Sequence, residues 1–73
     1  METIRIETEY IRLDAFLKYS GEAGTGGEAK NRITEGLVSV NGAVCTQRGR
    51  KLRPGDTVGY MGREYLVGCG STP

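Results

Sequence analysis

The sequence contains no histidine and no tryptophan, and only two cysteines and two prolines. Without histidine, Ser–His and Cys–His catalytic pairs are excluded. Two cysteines alone cannot complete the four-ligand set of a structural zinc site. A disulfide between Cys45 and Cys69 is disfavoured in a reducing compartment, so both are expected to be ordinary thiols. No apolar run approaches the roughly 18 residues of a transmembrane helix. The opening Met-Glu-Thr-Ile-Arg-Ile-Glu lacks the basic stretch and apolar core of a secretory signal. The expectation is therefore a cytoplasmic protein with no membrane partner, no metal and no cofactor.

At 73 residues the chain has room for one domain. A domain of this size buries only about 60% of the surface its unfolded chain exposes. With 37% hydrophobic and 7% aromatic residues, the core must be thin. An enclosed active site for a small-molecule substrate does not fit easily into it. The carboxylates are scattered, and Asp14 and Asp56 each suit a helix-start or turn role. The chain is expected not to be an enzyme.

Charge is present in both signs but unevenly spread. The net charge is +1. Residues 1–28 carry Arg5, Arg12 and Lys18 against six acidic side chains, a balance of −3. Residues 29–55 carry Lys30, Arg32, Arg48, Arg50, Lys51 and Arg53 against Glu35 alone, a balance of +5. A positive segment on an otherwise balanced protein is a footprint of polyanion binding.

The apolar pattern outlines the fold. Ile4 and Ile6 alternate with charged residues, as in an edge strand. Leu13, Phe16 and Leu17 have helical spacing, which predicts a helix from about Asp14 to Tyr19, ended by Ser20-Gly21. Thr25 and Glu28 form the T-x-x-E capping box of a second helix reaching about Glu35, with Ala29 and Ile33 inside and Gly36 as its stop. From Val38 the period becomes two. Asn41-Gly42 is a strong hairpin signal between strands at Val38–Val40 and Ala43–Thr46. Leu52 reads as an apolar anchor after a polar loop. Arg53-Pro54-Gly55-Asp56 reads as a turn. Thr57–Met61 and Glu64–Val67 read as strands joined by Gly62-Arg63. The expected fold class is α+β, two short helices packed on a small bent antiparallel sheet. Residues 1–67 make the single domain and 68–73 a flexible C-terminal tail.

The sharpest chemical feature is Arg48-Gly49-Arg50-Lys51-Leu52-Arg53. Arginine forks match phosphate oxygens, lysine adds a point charge, and Gly49 permits close approach. By itself such a run is as consistent with a solvated loop as with a binding site. Thr25-Gly26-Gly27-Glu28-Ala29-Lys30 offers helix N-terminal amides to an anion, although a plain capped helix accounts for it better. The hairpin turn suffices to explain Asn41. Tyr10, Tyr19, Tyr60 and Tyr65 are candidates for stacking on bases, but Tyr60 and Tyr65 follow the strand alternation and belong in the core, and Tyr19 is the ring expected to be exposed. The alternatives left open are a protein–protein adaptor docking an acidic partner, or a DNA-associated accessory protein.

Taken in order, several segments resemble a known family. They are Ile11-Arg12-Leu13-Asp14-x-Phe16-Leu17-Lys18, Gly26-Gly27-Glu28-Ala29-Lys30, Glu35-Gly36-x-Val38-x-Val40-Asn41-Gly42, Arg48-Gly49-Arg50-Lys51-Leu52 and Gly55-Asp56-x-Val58. Together they are similar to the RNA-binding domain named after ribosomal protein S-four, the alpha-L motif, and in particular to its small stand-alone bacterial YaaA-like and YbcJ-like members. The resemblance implies binding of structured ribosomal or transfer RNA, often on ribosomal particles, by two helices and the following loop. Carried onto this chain, it implies RNA contacts at Arg12, Lys18, Lys30, Arg32, Arg48, Arg50 and Lys51. Many members carry Ser-Arg where this chain has Gly26-Gly27, so one phosphate-binding arginine of the family is missing here.

Overall fold

In the computed structural model, which describes residues 1–70, the first helix, α1, spans Leu13–Tyr19 and the second, α2, spans Gly26–Thr34. Leu13, Phe16 and Leu17 of α1 and Ala29 and Ile33 of α2 are buried, as their spacing requires. At the start of α2 the Thr25 hydroxyl accepts from the Glu28 amide at 3.2 Å. The Glu28 carboxylate accepts from the Gly24 amide at 2.9 Å, one residue earlier than a capping box places it. The end of α2 is a Schellman motif. Gly36 turns left-handed with φ +80°, its amide bonds to the Ile33 carbonyl, and the Leu37 amide bonds to the Arg32 carbonyl.

Seven strands accompany the helices among the described residues: β1 Glu2–Ile6, β2 Ile11–Arg12, β3 Val38–Val40, β4 Ala43–Val44, β5 Lys51–Leu52, β6 Thr57–Tyr60 and β7 Arg63–Cys69. Five form one sheet in the order β1-β7-β6-β3-β4, while β2 and β5 pair separately. Alternation sends Val38, Val40, Val58, Tyr60, Tyr65, Val67 and Ile6 into the core with the helices. Phe16 meets the Tyr65 ring edge-on at 6.2 Å. Tyr60 and Tyr65 are core residues, as their alternation implies.

The α+β class holds, but four details differ from expectation. The sheet is mixed: β1 runs parallel to β7, with Ile4 opposite Val67. Alternation of Ile4 and Ile6 marks a strand without fixing its direction. The β6–β7 turn lies at Met61-Gly62, with φ +52° and +79°, and not at Gly62-Arg63. These two positive φ values mark a type I′ turn, which a methionine at the first position does not advertise. The return strand β4 stops at Val44 and does not reach Thr46. The last strand runs on to Cys69, and the Gly70 amide bonds to the Ile6 carbonyl. Of the expected tail 68–73, residues 68–70 are thus held against β1, and 71–73 lie outside the described residues.

Candidate nucleic-acid interface

The residues before α1 and the basic loop before β5 are bound together. Ile11 pairs with Leu52 and Arg12 with Lys51. The first amides of α1, orphans in any helix, are satisfied by that loop: Leu13 donates to the Arg50 carbonyl at 2.9 Å and Asp14 to the Arg48 carbonyl at 3.1 Å. Arg12, the N-cap residue, makes no side-chain cap. Leu52 is fully buried and anchors the far end of the loop. With its carbonyls turned to α1 and its anchor in the core, the loop leaves Arg48, Arg50 and Lys51 exposed. Four cations from two distant segments thus converge at one end of α1.

Their engagements differ. Arg12 Nη2 contacts Asp14 Oδ2 at 3.1 Å while its side chain stays 53% exposed, so the pair is a weak surface one. The Lys51 ammonium lies 4.8 Å from the centre of the Tyr10 ring. Arg48 and Arg50 form no salt bridge among the described residues. A Cβ at Gly49 would meet only Arg12 Nη2, at 3.9 Å, so internal packing does not require glycine there.

The helical cations divide. Lys18 in the last turn of α1 and Lys30 on α2 are exposed, with no salt bridge among the described residues. Neither touches the loop through a hydrogen bond or ion pair. Arg32 points inward: its guanidinium lies 5.8 Å from the centre of the Tyr60 ring and 3.6 Å from Glu28 Oε1. Its Nε is buried without a hydrogen-bond acceptor. Packing of this kind ties α2 to β6, while about a third of the side chain, 34%, stays exposed.

Two sequence-level candidates have internal roles. The glycine-led start of α2 already faces the Glu28 carboxylate, whose Oε2 would lie 3.0 Å from a Cβ at Gly24. An incoming anion would meet that charge. Asn41 accepts from the Thr57 amide at 2.9 Å and donates to Asp56 Oδ1 at 3.2 Å, so its amide is occupied in joining the hairpin to the Arg53–Asp56 turn. Asp56 also accepts from the Arg53 amide at 2.8 Å. Sequence reasoning favours Tyr19 over Tyr10 as the ring open to a base, and what it misses is the placement of Tyr10 beside Lys51. Strand β2, which sets it beside Lys51, is two residues long and has no periodicity to read.

Comparison with known proteins agrees with this architecture. The family model described as "S4 domain" matches residues 4–68. A protein of Escherichia coli (strain K12) named "Putative RNA-binding protein YbcJ" is 38% identical over 58 residues, covering 80% of this chain and 83% of that one. A Bacillus subtilis (strain 168) protein named "Probable ribosome maturation protein RlbA" is 44% identical over 59 residues, covering 81% and 83%. The solution structure of E. coli YbcJ, reported to reveal an alfaL motif involved in RNA-binding, superposes with a TM-score of 0.72 at 34% identity, covering 94% of this chain and 89% of that one. By its sequence and by its fold, the chain belongs to the S4 domain family.

Proposed function

We propose that this protein binds structured RNA without catalysing a reaction on it, and that the target is ribosomal RNA, met in the cytoplasm on ribosomal particles. The observation that carries the reading is the pinning of the basic loop to the start of α1 by the Arg48 and Arg50 carbonyls. A free loop with four charges would lose conformational entropy on binding. A pinned one presents its cations at little further entropic cost. Arg12, Arg48, Arg50 and Lys51 form the centre of the contact, and Lys18 and Lys30 extend it along the helices. Arg32 supports α2 from behind. Phosphate contacts supply most of the affinity, and the shape of the folded RNA supplies selectivity.

A ribosomal target is favoured over transfer RNA by the name of the B. subtilis relative, a ribosome maturation protein. The test is binding to ribosomal and transfer RNA fragments across a salt series. Neutralising ~4–6 phosphates gives a log–log slope near −4 to −5 by the duplex-DNA rule, somewhat shallower on RNA. A flat response would remove the reading. Tighter binding to transfer RNA would replace the target.

A further inference from the structure

We infer that Tyr10, with Lys51 and Arg12, forms a subsite for one unpaired nucleotide, its base stacked on the phenol ring and its flanking phosphates on the two cations. The inference rests on the RNA-binding reading above and deepens it.

Of the five aromatic side chains, Phe16, Tyr60 and Tyr65 are buried. Only Tyr10 and Tyr19 can meet a ligand. Tyr19 is the more exposed, at 63%, but it ends α1 and is remote from the loop carbonyls that bond to the helix start. Tyr10 is 39% exposed and stands immediately before β2. The pairing of Arg12 with Lys51 places both cations next to it. Its hydroxyl makes no hydrogen bond to another described residue.

A base-paired helix hides its base faces in the stack, so the ring engages an unpaired base, in a bulge or a single-stranded segment. Every base has a π-face, so the subsite selects for an unpaired nucleotide and not for its identity. The Lys51 ammonium now rests on the ring that a base would cover. When the base arrives, the ammonium passes to the adjoining phosphate, and neither its charge nor the ring face is left without a partner. The cation–π contact thus holds the site ready and is exchanged on binding.

The experiment compares a fully paired RNA duplex with the same duplex carrying a one-nucleotide bulge. Wild type, Tyr10→Leu, Tyr10→Phe and Tyr10→Trp are each measured, with thermal melts to show that all are folded. Tyr10→Leu is expected to weaken binding of the bulged RNA about tenfold and to leave the paired duplex unchanged. Tyr10→Phe keeps wild-type affinity for both. The chain has no native tryptophan, so Tyr10→Trp is a single fluorescent reporter, expected to be quenched by the bulged RNA only. Equal affinity of Tyr10→Leu and wild type for the bulged RNA, with salt-dependent binding retained, overturns the subsite and leaves the RNA-binding reading standing. Equal losses on both RNAs also overturn it, because stacking on an unpaired base would not weaken binding to the paired duplex. Wild type that binds neither RNA in a salt-dependent way removes both proposals.

Discussion

The Tyr65 hydroxyl donates a 2.6 Å hydrogen bond to Glu22 Oε1, fastening the connection between the two helices to the last strand. Arg63 Nη1 contacts the same oxygen at 3.1 Å. The Glu22 side chain is largely buried and the Tyr65 ring almost wholly so. Tyr65→Phe should therefore cost about 1–2 kcal/mol, a hydrogen bond to a charged acceptor. In a domain of this size that lowers the melting temperature by roughly 5–15 °C. Thermal unfolding followed by circular dichroism checks it. A melting temperature equal to wild type would mean water replaces the bond without loss.

The same contact makes stability depend on alkaline pH. The Tyr65 phenol titrates above its ordinary value, chiefly because its proton is held by the Glu22 carboxylate and secondly because burial disfavours the phenolate. The folded chain therefore keeps this proton to a higher pH than the unfolded chain does. The stabilisation is complete below about pH 10, where an unfolded tyrosine titrates, and is lost as pH rises through the folded value. Urea midpoints should fall above that pH in the wild type and fall less steeply in Tyr65→Phe. Parallel profiles for the two proteins would show that another group controls the loss.

Arg50→Glu and Arg48→Glu should each weaken RNA binding at least tenfold and make the salt slope shallower by about 1 or more. The loop is held by its carbonyls, which these substitutions leave in place, so the melting temperature should move little. Isothermal titration at several salt concentrations together with thermal melts separates the two effects. Unfolding of either variant would mark the guanidinium as structural.

Arg32→Ala and Lys30→Ala, two positions apart on α2, should behave in opposite ways. Loss of Arg32 removes packing on the Tyr60 ring and should destabilise by roughly 1 kcal/mol. Loss of Lys30 removes an exposed charge and should leave stability within about 0.5 kcal/mol while reducing the salt slope. Denaturant unfolding and salt-dependent binding on the same pair of variants decide it. An Arg32→Ala variant as stable as wild type but weak in binding would return Arg32 to the RNA face.

Much of this was legible in the residues themselves. The buried positions of both helices follow from Leu13, Phe16, Leu17, Ala29 and Ile33, and the caps at Thr25 and Gly36 lie where their chemistry requires. What escaped depends on partners distant in sequence. The Ile11–Leu52 and Arg12–Lys51 pairs span some forty residues, and neither two-residue strand has room for a period. For the same reason the setting of Tyr10 and the inward turn of Arg32 onto Tyr60 could not be read: propensity reports exposure of a helix face, not what a neighbouring strand offers it. The direction of β1 was hidden similarly, since Ile4 and Ile6 alternate alike in either orientation.

The two hairpin turns make a controlled comparison. Asn41-Gly42 and Met61-Gly62 share nearly the same backbone, with first-position φ of +52° in each and second-position φ of +85° and +79°. Asparagine tolerates a left-handed φ because its short polar side chain bonds locally, whereas methionine has no such compensation. Met61 is 72% exposed, so little packing is lost when it is replaced. Met61→Asn should therefore stabilise the protein by about 0.5–1 kcal/mol and raise the melting temperature by a few degrees. RNA affinity should not change, because none of the proposed contact residues lies on this hairpin. A lower melting temperature would mean that Met61 contributes packing on the open face of the sheet that outweighs its backbone strain.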